Sequence, residues 1–241
     1  MPSNPLLNTV DLRAVSLACR EAGTPLLVDD TVCSHRNLDL LPLADVVSTS
    51  LTKWVSGVGD VLAGSVKLNR DSEFGDEFRT SLELEAPGGN RLHARDAEAL
   101  LANTEDLSQR VAEANEGALH VVEFLSEHPA VERVWHPSLV DREVYDGLRR
   151  PDGGYGGLLS FALKNPERAP AVYAAMRFSK GPSLGTDYSL LCPYTLLAHY
   201  TEVSWANECG VPTELLRLSV GREDPVELKE RLAEGLALAS A

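Results

Sequence analysis

The sequence predicts an α/β fold, a mostly parallel sheet with helices followed by a smaller α+β carboxyl-terminal domain, and three observations carry that reading. Helix and strand signals alternate from the start. The strand candidates are short, near-continuous apolar runs, the pattern of a parallel sheet buried on both faces. The rhythm then changes at Val131. In order, VDLRAVSLACREAG from Val10 places apolar residues at helical spacing and stops at Gly23. PLLVDD, ADVVSTS and LAGSVKL read as strands. A helical region from about Ala94 to His128 carries one apolar stripe of Leu107, Val111, Ala114, Ala118, Val122 and Leu125. Beyond it VERVWHP and LLSFALK read as strands, RRPDGGYGG as a loop, and PERAPAVYAAMRF and DPVELKERLAEGLALA as helices. The expected domains are residues 1–128 and 129–241.

Composition narrows the function. The 241 residues are 44% hydrophobic and 24% charged, an ordinary globular balance that argues against disorder. Acids outnumber Lys plus Arg by 36 to 22, and the net charge of −14 repels nucleic acid and anionic membrane surfaces, so neither is expected as a partner. No charged-then-apolar leader and no bilayer-length apolar run is visible, which reads as a cytoplasmic chain. Cys19, Cys33, Cys192 and Cys209 stand far apart without a CxxC pair and read as free thiols. His35, His136 and His199 lie outside ligand spacing of one another, so no metal is expected.

The stretch DVVSTSLTKWVSGVGD concentrates the chemistry. Parallel sheets present their chemistry at the carboxyl ends of strands, where Asp29 and Lys53 both fall. A lysine among apolar residues at a strand end loses hydration, which lowers its pKa and frees a neutral amine for imine formation with an aldehyde. Ser50 and Thr52 offer hydroxyls to a phosphate, and Gly57 and Gly59 let the backbone approach closely. Asp29 is placed to pair with a protonated ring nitrogen. Spacing alone leaves a second reading open, in which Lys53 extends its amine to solvent and Asp29 caps a turn.

The specific words go further. SxTK, an aromatic residue and xxG, preceded by VDxT, resemble the Cys/Met-metabolism family of pyridoxal-phosphate (PLP) enzymes, which includes cystathionine γ-synthase and γ-lyase. PSNPLL resembles that family's SNP turn, GGLLSFAL its second-domain strand, and SLGTDYSLLCPYTLLAHY and LLRLSVGRED its substrate-side segments. The words occur in the family's order along the whole chain. The resemblance implies PLP fold type I, the aspartate-aminotransferase-like architecture, with a large cofactor domain and a smaller carboxyl-terminal one. It implies a γ-synthase or lyase of the trans-sulfuration type, acting on sulfur- or O-acyl-substituted amino acids by elimination or replacement.

Carried over residue by residue, the resemblance makes Lys53 the covalent cofactor lysine, Asp29 the partner of the ring nitrogen, Ser50 and Thr52 the phosphate contacts, and Asn4 the neighbour of the ring's phenolic oxygen. Asn4 and Ser183 also assist with substrate, and Arg217 grips its α-carboxylate through a planar fork that lysine does not copy. Tyr188 and Tyr194 lie in the substrate-side segment and border the substrate without a proton-transfer role. The sequence departs from the family at Leu51, where small residues are usual, at Val58, commonly histidine, and at Asp30, commonly asparagine. Pro182 precedes Ser183 where related enzymes differ in substrate choice. The chain opens deep within the family pattern, so the amino-terminal portion, with its phosphate cradle and cross-subunit residues, is expected from elsewhere. The expected assembly is a homo-oligomer or an association with a chain supplying that portion. A non-catalytic fragment or partner subunit remains the alternative.

Overall fold

The computed structural model describes residues 1–87 and 92–239. Its helices are α1 (Leu12–Glu21), α2 (Gly75–Glu85), α3 (Ala94–Asn103), α4 (Leu107–Glu127), α5 (Arg142–Asp146), α6 (Ala169–Ala175), α7 (Tyr194–Ala198), α8 (Val203–Glu208) and α9 (Pro225–Leu236). Its strands are β1 (Leu27–Asp29), β2 (Val46–Ser50), β3 (Gly64–Leu68), β4 (Val131–Trp135), β5 (Leu158–Leu163), β6 (Ser179–Lys180), β7 (Leu190–Pro193) and β8 (Leu216–Ser219). The expected elements are present, and the helical region from Ala94 is two helices, broken between Asn103 and Leu107.

The ends of α1 follow local chemistry. Asp11 caps it by accepting from the backbone N–H groups of Arg13 and Ala14, and Gly23 ends it at φ +60°, a left-handed conformation that glycine adopts without a Cβ clash. The chain then enters β1, which pairs parallel with β2, Asp29 opposite Ser48. Here the structure corrects the expected sheet. β3 runs antiparallel to β2, so the three-stranded sheet is mixed. The turn explains this: about a dozen residues separate β2 from β3, no helix crosses between them, and without a crossover the returning strand reverses direction. Nor is the sheet buried on both faces among the described residues, because β3 is exposed from Gly64 to Lys67.

The second sheet has the order β4-β5-β8-β7-β6, antiparallel except for the parallel β6–β7 pair. One face packs on α4, α6 and α9. Val121, Leu125, Leu159, Phe161, Val172, Leu218, Leu228 and Leu232 are completely buried there, each side chain contributing about 1.5–3 kcal/mol by leaving water. The α4 stripe is buried as its spacing predicts from Val111 to Leu125, with Leu107 half-buried at the helix start. A separate core joins Leu12, Val28, Leu38, Leu40 and Val47 to Tyr145 and Leu148, so the chain around α5 returns to the first sheet. Leu7, Trp54, Ala114, Leu158 and Leu184 pack between the two. That junction holds the loop after β2 against the second sheet.

All four cysteines are free thiols, two of them buried. His136 is fully buried between the Ser138 hydroxyl and the Gly156 carbonyl, and burial holds its pKa down at about 4. Among the described residues no helix is long and apolar enough to cross a membrane.

Candidate active site

Lys53 lies in the turn that leaves β2, and three devices fix that turn. Arg110, on α4 and nearly buried, donates to the carbonyls of Trp54, Val55 and Ser56, at 3.2, 2.9 and 3.4 Å. Asp106 holds the same guanidinium. Gly57, at φ +74°, lies so close that a Cβ there would stand 2.5 Å from Arg110 Nε, which is why this position needs glycine. Trp54 donates its indole N–H to the Val32 carbonyl at 2.8 Å. Gly185 completes the contact from the other side, where a Cβ would lie 2.6 Å from the Trp54 nitrogen. Sequence reasoning missed Arg110; its signal was a charged residue directly beside the apolar stripe of α4.

The Lys53 side chain reaches across to the second sheet. Its Nζ donates to Ser183 Oγ at 2.9 Å. The Ser183 carbonyl accepts from Arg217 Nη2 at 3.0 Å, the Pro182 carbonyl accepts from the same nitrogen, and Asn4 Oδ1 accepts from Nη1 at 3.2 Å. Four residues scattered from position 4 to 217 thus form one connected set. Burial holds the Lys53 pKa below its ordinary value, and the charge of Arg217 adds to the effect. The amine has no carboxylate partner among the described residues, as a reactive neutral amine requires.

Arg217 is 3% exposed, on β8, and its Nε is buried without a hydrogen-bond partner. A buried donor left open on a guanidinium fits an anionic ligand. Asp29 stands at the exposed end of β1, its carboxylate accepting from Thr31 N at 2.7 Å. Thr31 Oγ in turn accepts from Ser50 N at 2.9 Å, which ties the ends of β1 and β2 together. Thr52 Oγ accepts from Ala63 N at 3.1 Å and lies 3.4 Å from the Ala63 carbonyl. That second contact is long, so the hydroxyl proton is free to turn toward a stronger acceptor such as a phosphate. The Ser50 carbonyl accepts from Lys53 N at 3.4 Å, and among the described residues no side-chain hydrogen bond joins Asp29, Ser50 or Thr52 to the Lys53–Arg217 set. Val58 is exposed on the loop, while His199 pairs with Glu202 at 2.8 Å.

A sequence profile of the Cys/Met metabolism PLP-dependent enzymes matches residues 1–237. This chain belongs to that family. Among the Cys/Met metabolism enzymes, the chain is 39% identical to a cystathionine gamma-synthase-like protein of Aspergillus thermomutatus over 97% of its own length and 41% of the relative's. It is 35% identical to cystathionine gamma-synthase of Neurospora crassa over 99% and 38%. Among solved structures, a cystathionine gamma-synthase of Xanthomonas oryzae pv. oryzae, in complex with cystathionine, superposes with a TM-score of 0.89 at 30% identity, over 100% of this chain and 62% of that one. A cystathionine gamma-lyase of Micromonospora echinospora gives 0.87 at 32% identity, over 98% and 62%. The fold is therefore PLP fold type I, as the motif words of the Cys/Met metabolism family implied, and the chain spans about two-fifths of the curated relatives it matches.

Asp30 is 2% exposed with Oδ1 unpartnered. Burial pushes its pKa up to about 7, Asp29 adding to the rise while the amino terminus, Arg150 and Lys67 oppose it. From about pH 4, where an unfolded aspartate has released its proton, to about pH 7, the folded chain still holds it. Stability therefore falls as pH rises through that window. Asp30→Asn is expected to flatten this decline and to raise Tm at pH 8 relative to the native chain. Thermal unfolding at pH 5 and pH 8 measures it, and parallel curves for the two proteins would refute the assignment.

Proposed function

We propose that this chain carries the cofactor lysine and the carboxylate-binding arginine of a PLP-dependent γ-synthase or lyase of the trans-sulfuration type. It acts on sulfur- or O-acyl-substituted amino acids by elimination or replacement. The observation that carries this reading is the connected set of Lys53, Ser183, Arg217 and Asn4, in which a half-buried amine with a lowered pKa stands one serine away from a buried guanidinium with an open donor. That the Xanthomonas oryzae synthase was solved with cystathionine supports the substrate class.

In this reading Lys53 holds the cofactor covalently, Asp29 faces its ring nitrogen, Ser50 and Thr52 hold its phosphate, and Asn4 lies near its phenolic oxygen. When bound, PLP supplies an electron sink for the charge left when the substrate loses its Cα proton. The chain's own residues do the rest. Arg217 fixes the α-carboxylate and thereby aims the Cα–H bond, with Ser183 and Asn4 steadying the guanidinium. Once the substrate's amine has displaced it from the cofactor, the freed Lys53 Nζ would take the proton from Cα and return it at a neighbouring carbon. The working assembly is a homo-oligomer or an association with a further chain.

A second reading, a partner subunit or fragment without turnover of its own, is favoured by the exposed face of β3. One experiment decides between them. The protein is loaded with PLP and given an amino acid carrying a thioether or acyloxy group at Cγ. Release of a 2-oxo acid and ammonia, or of a thiol-substituted amino acid when a thiol is added, is the expected result. A protein that takes up PLP and yields neither product supports the second reading.

A further inference from the structure

Arg217 is a buried cation with no carboxylate beside it among the described residues. A buried charge left this way is costly unless something neutral answers it. Three oxygen acceptors occupy its Nη atoms, the Cys192 thiol lies beside it, and an aromatic ring covers it: the guanidinium carbon sits 5.0 Å from the ring centroid of Tyr194. Neither polar group nearby supplies an anion. Burial raises the Tyr194 hydroxyl and the Cys192 thiol above their ordinary pKa values, against the pull of Arg217, so both remain neutral.

The ring is held in place from several directions. Tyr194 opens α7 directly after β7, whose Cys192 stands opposite Arg217 in the register, and its N–H donates to the Leu215 carbonyl at 3.0 Å. His199 packs tilted against it at 5.8 Å, and Trp205 of α8 packs on His199 at 6.1 Å. The Glu202 carboxylate fixes the His199 ring at 2.8 Å. An aromatic row thus runs from the surface at Trp205 to the guanidinium.

We propose that Tyr194 is a positioning residue for the carboxylate-binding arginine: its π face lies over the guanidinium without neutralising it, leaving the open Nε donor and the positive charge for the substrate's α-carboxylate. A carboxylate in that place would hold Arg217 as firmly but would compete with the substrate, whereas a ring attracts a cation through its quadrupole and leaves the net charge intact. This inference rests on the reading of Arg217 as the α-carboxylate site.

The test uses the PLP-loaded protein in the assembly that turns over substrate, with L-alanine and its amide as probes, since the amide lacks the carboxylate. Calorimetric titration of Tyr194→Leu is expected to show L-alanine binding weakened about tenfold, the effect of a lost, partly desolvated cation–π contact, with the amide unchanged. Tyr194→Phe keeps the ring and is expected to restore native affinity. Tyr194→Met fills the same space without a ring and serves if the leucine variant does not fold. With turnover substrates, KM is expected to rise while kcat holds. Native L-alanine affinity in both ringless variants would overturn the proposal, as would equal weakening of alanine and amide. A native protein that binds alanine no better than its amide would instead remove the Arg217 reading itself.

Discussion

Lys53→Ala is expected to abolish covalent attachment of PLP and to leave the fold in place. The expectation is all-or-none for attachment because the substitution deletes the amine that forms the bond. It is mild for stability because the turn around position 53 is held by other groups: Arg110 on the carbonyls of residues 54 to 56, the Trp54 indole on Val32, and Gly185 against the Trp54 backbone. The measurement is borohydride reduction in the presence of PLP, followed by peptide mapping, with circular dichroism reporting the fold. Lys180 is the informative competitor, since burial lowers its pKa as well. Its Nζ is already committed to the carbonyls of Tyr173 and Met176, at 2.5 and 2.7 Å. Label on Lys180 or any other lysine of the native chain would sink the assignment.

Arg217→Lys is expected to keep PLP binding and to lower turnover of the amino-acid substrate by at least about tenfold, equivalent to roughly 1.4 kcal/mol in the barrier. A lysine preserves the charge at this position. It does not reproduce a fork that meets Asn4 on one side and the carbonyls of residues 182 and 183 on the other while presenting Nε to a ligand. The loss is therefore one of aim: an ammonium does not keep those three acceptors while presenting a donor where Nε stands, so the carboxylate is displaced and the Cα–H bond is no longer fixed in direction. Turnover at the native rate would place the carboxylate site elsewhere.

The sequence alone determined the order of the elements, the family words and the residue types able to do the chemistry, because these depend on local periodicity, turn residues and short motifs. Gly23 ends α1, the stripe on α4 faces a core, and Lys53 follows a strand, all from patterns within a few residues of each position. Only the tertiary structure decided the rest. It set β3 antiparallel, since strand direction depends on where the chain returns and not on the strand's own composition. It brought Asn4, Lys53, Ser183 and Arg217 into one hydrogen-bonded set across more than two hundred residues of chain. It put Arg110 under the lysine turn and the Tyr194 ring over Arg217, contacts between elements with no shared local pattern. And it raised the pKa of Asp30, because desolvation is a property of the packed surroundings, which no residue carries in its own identity.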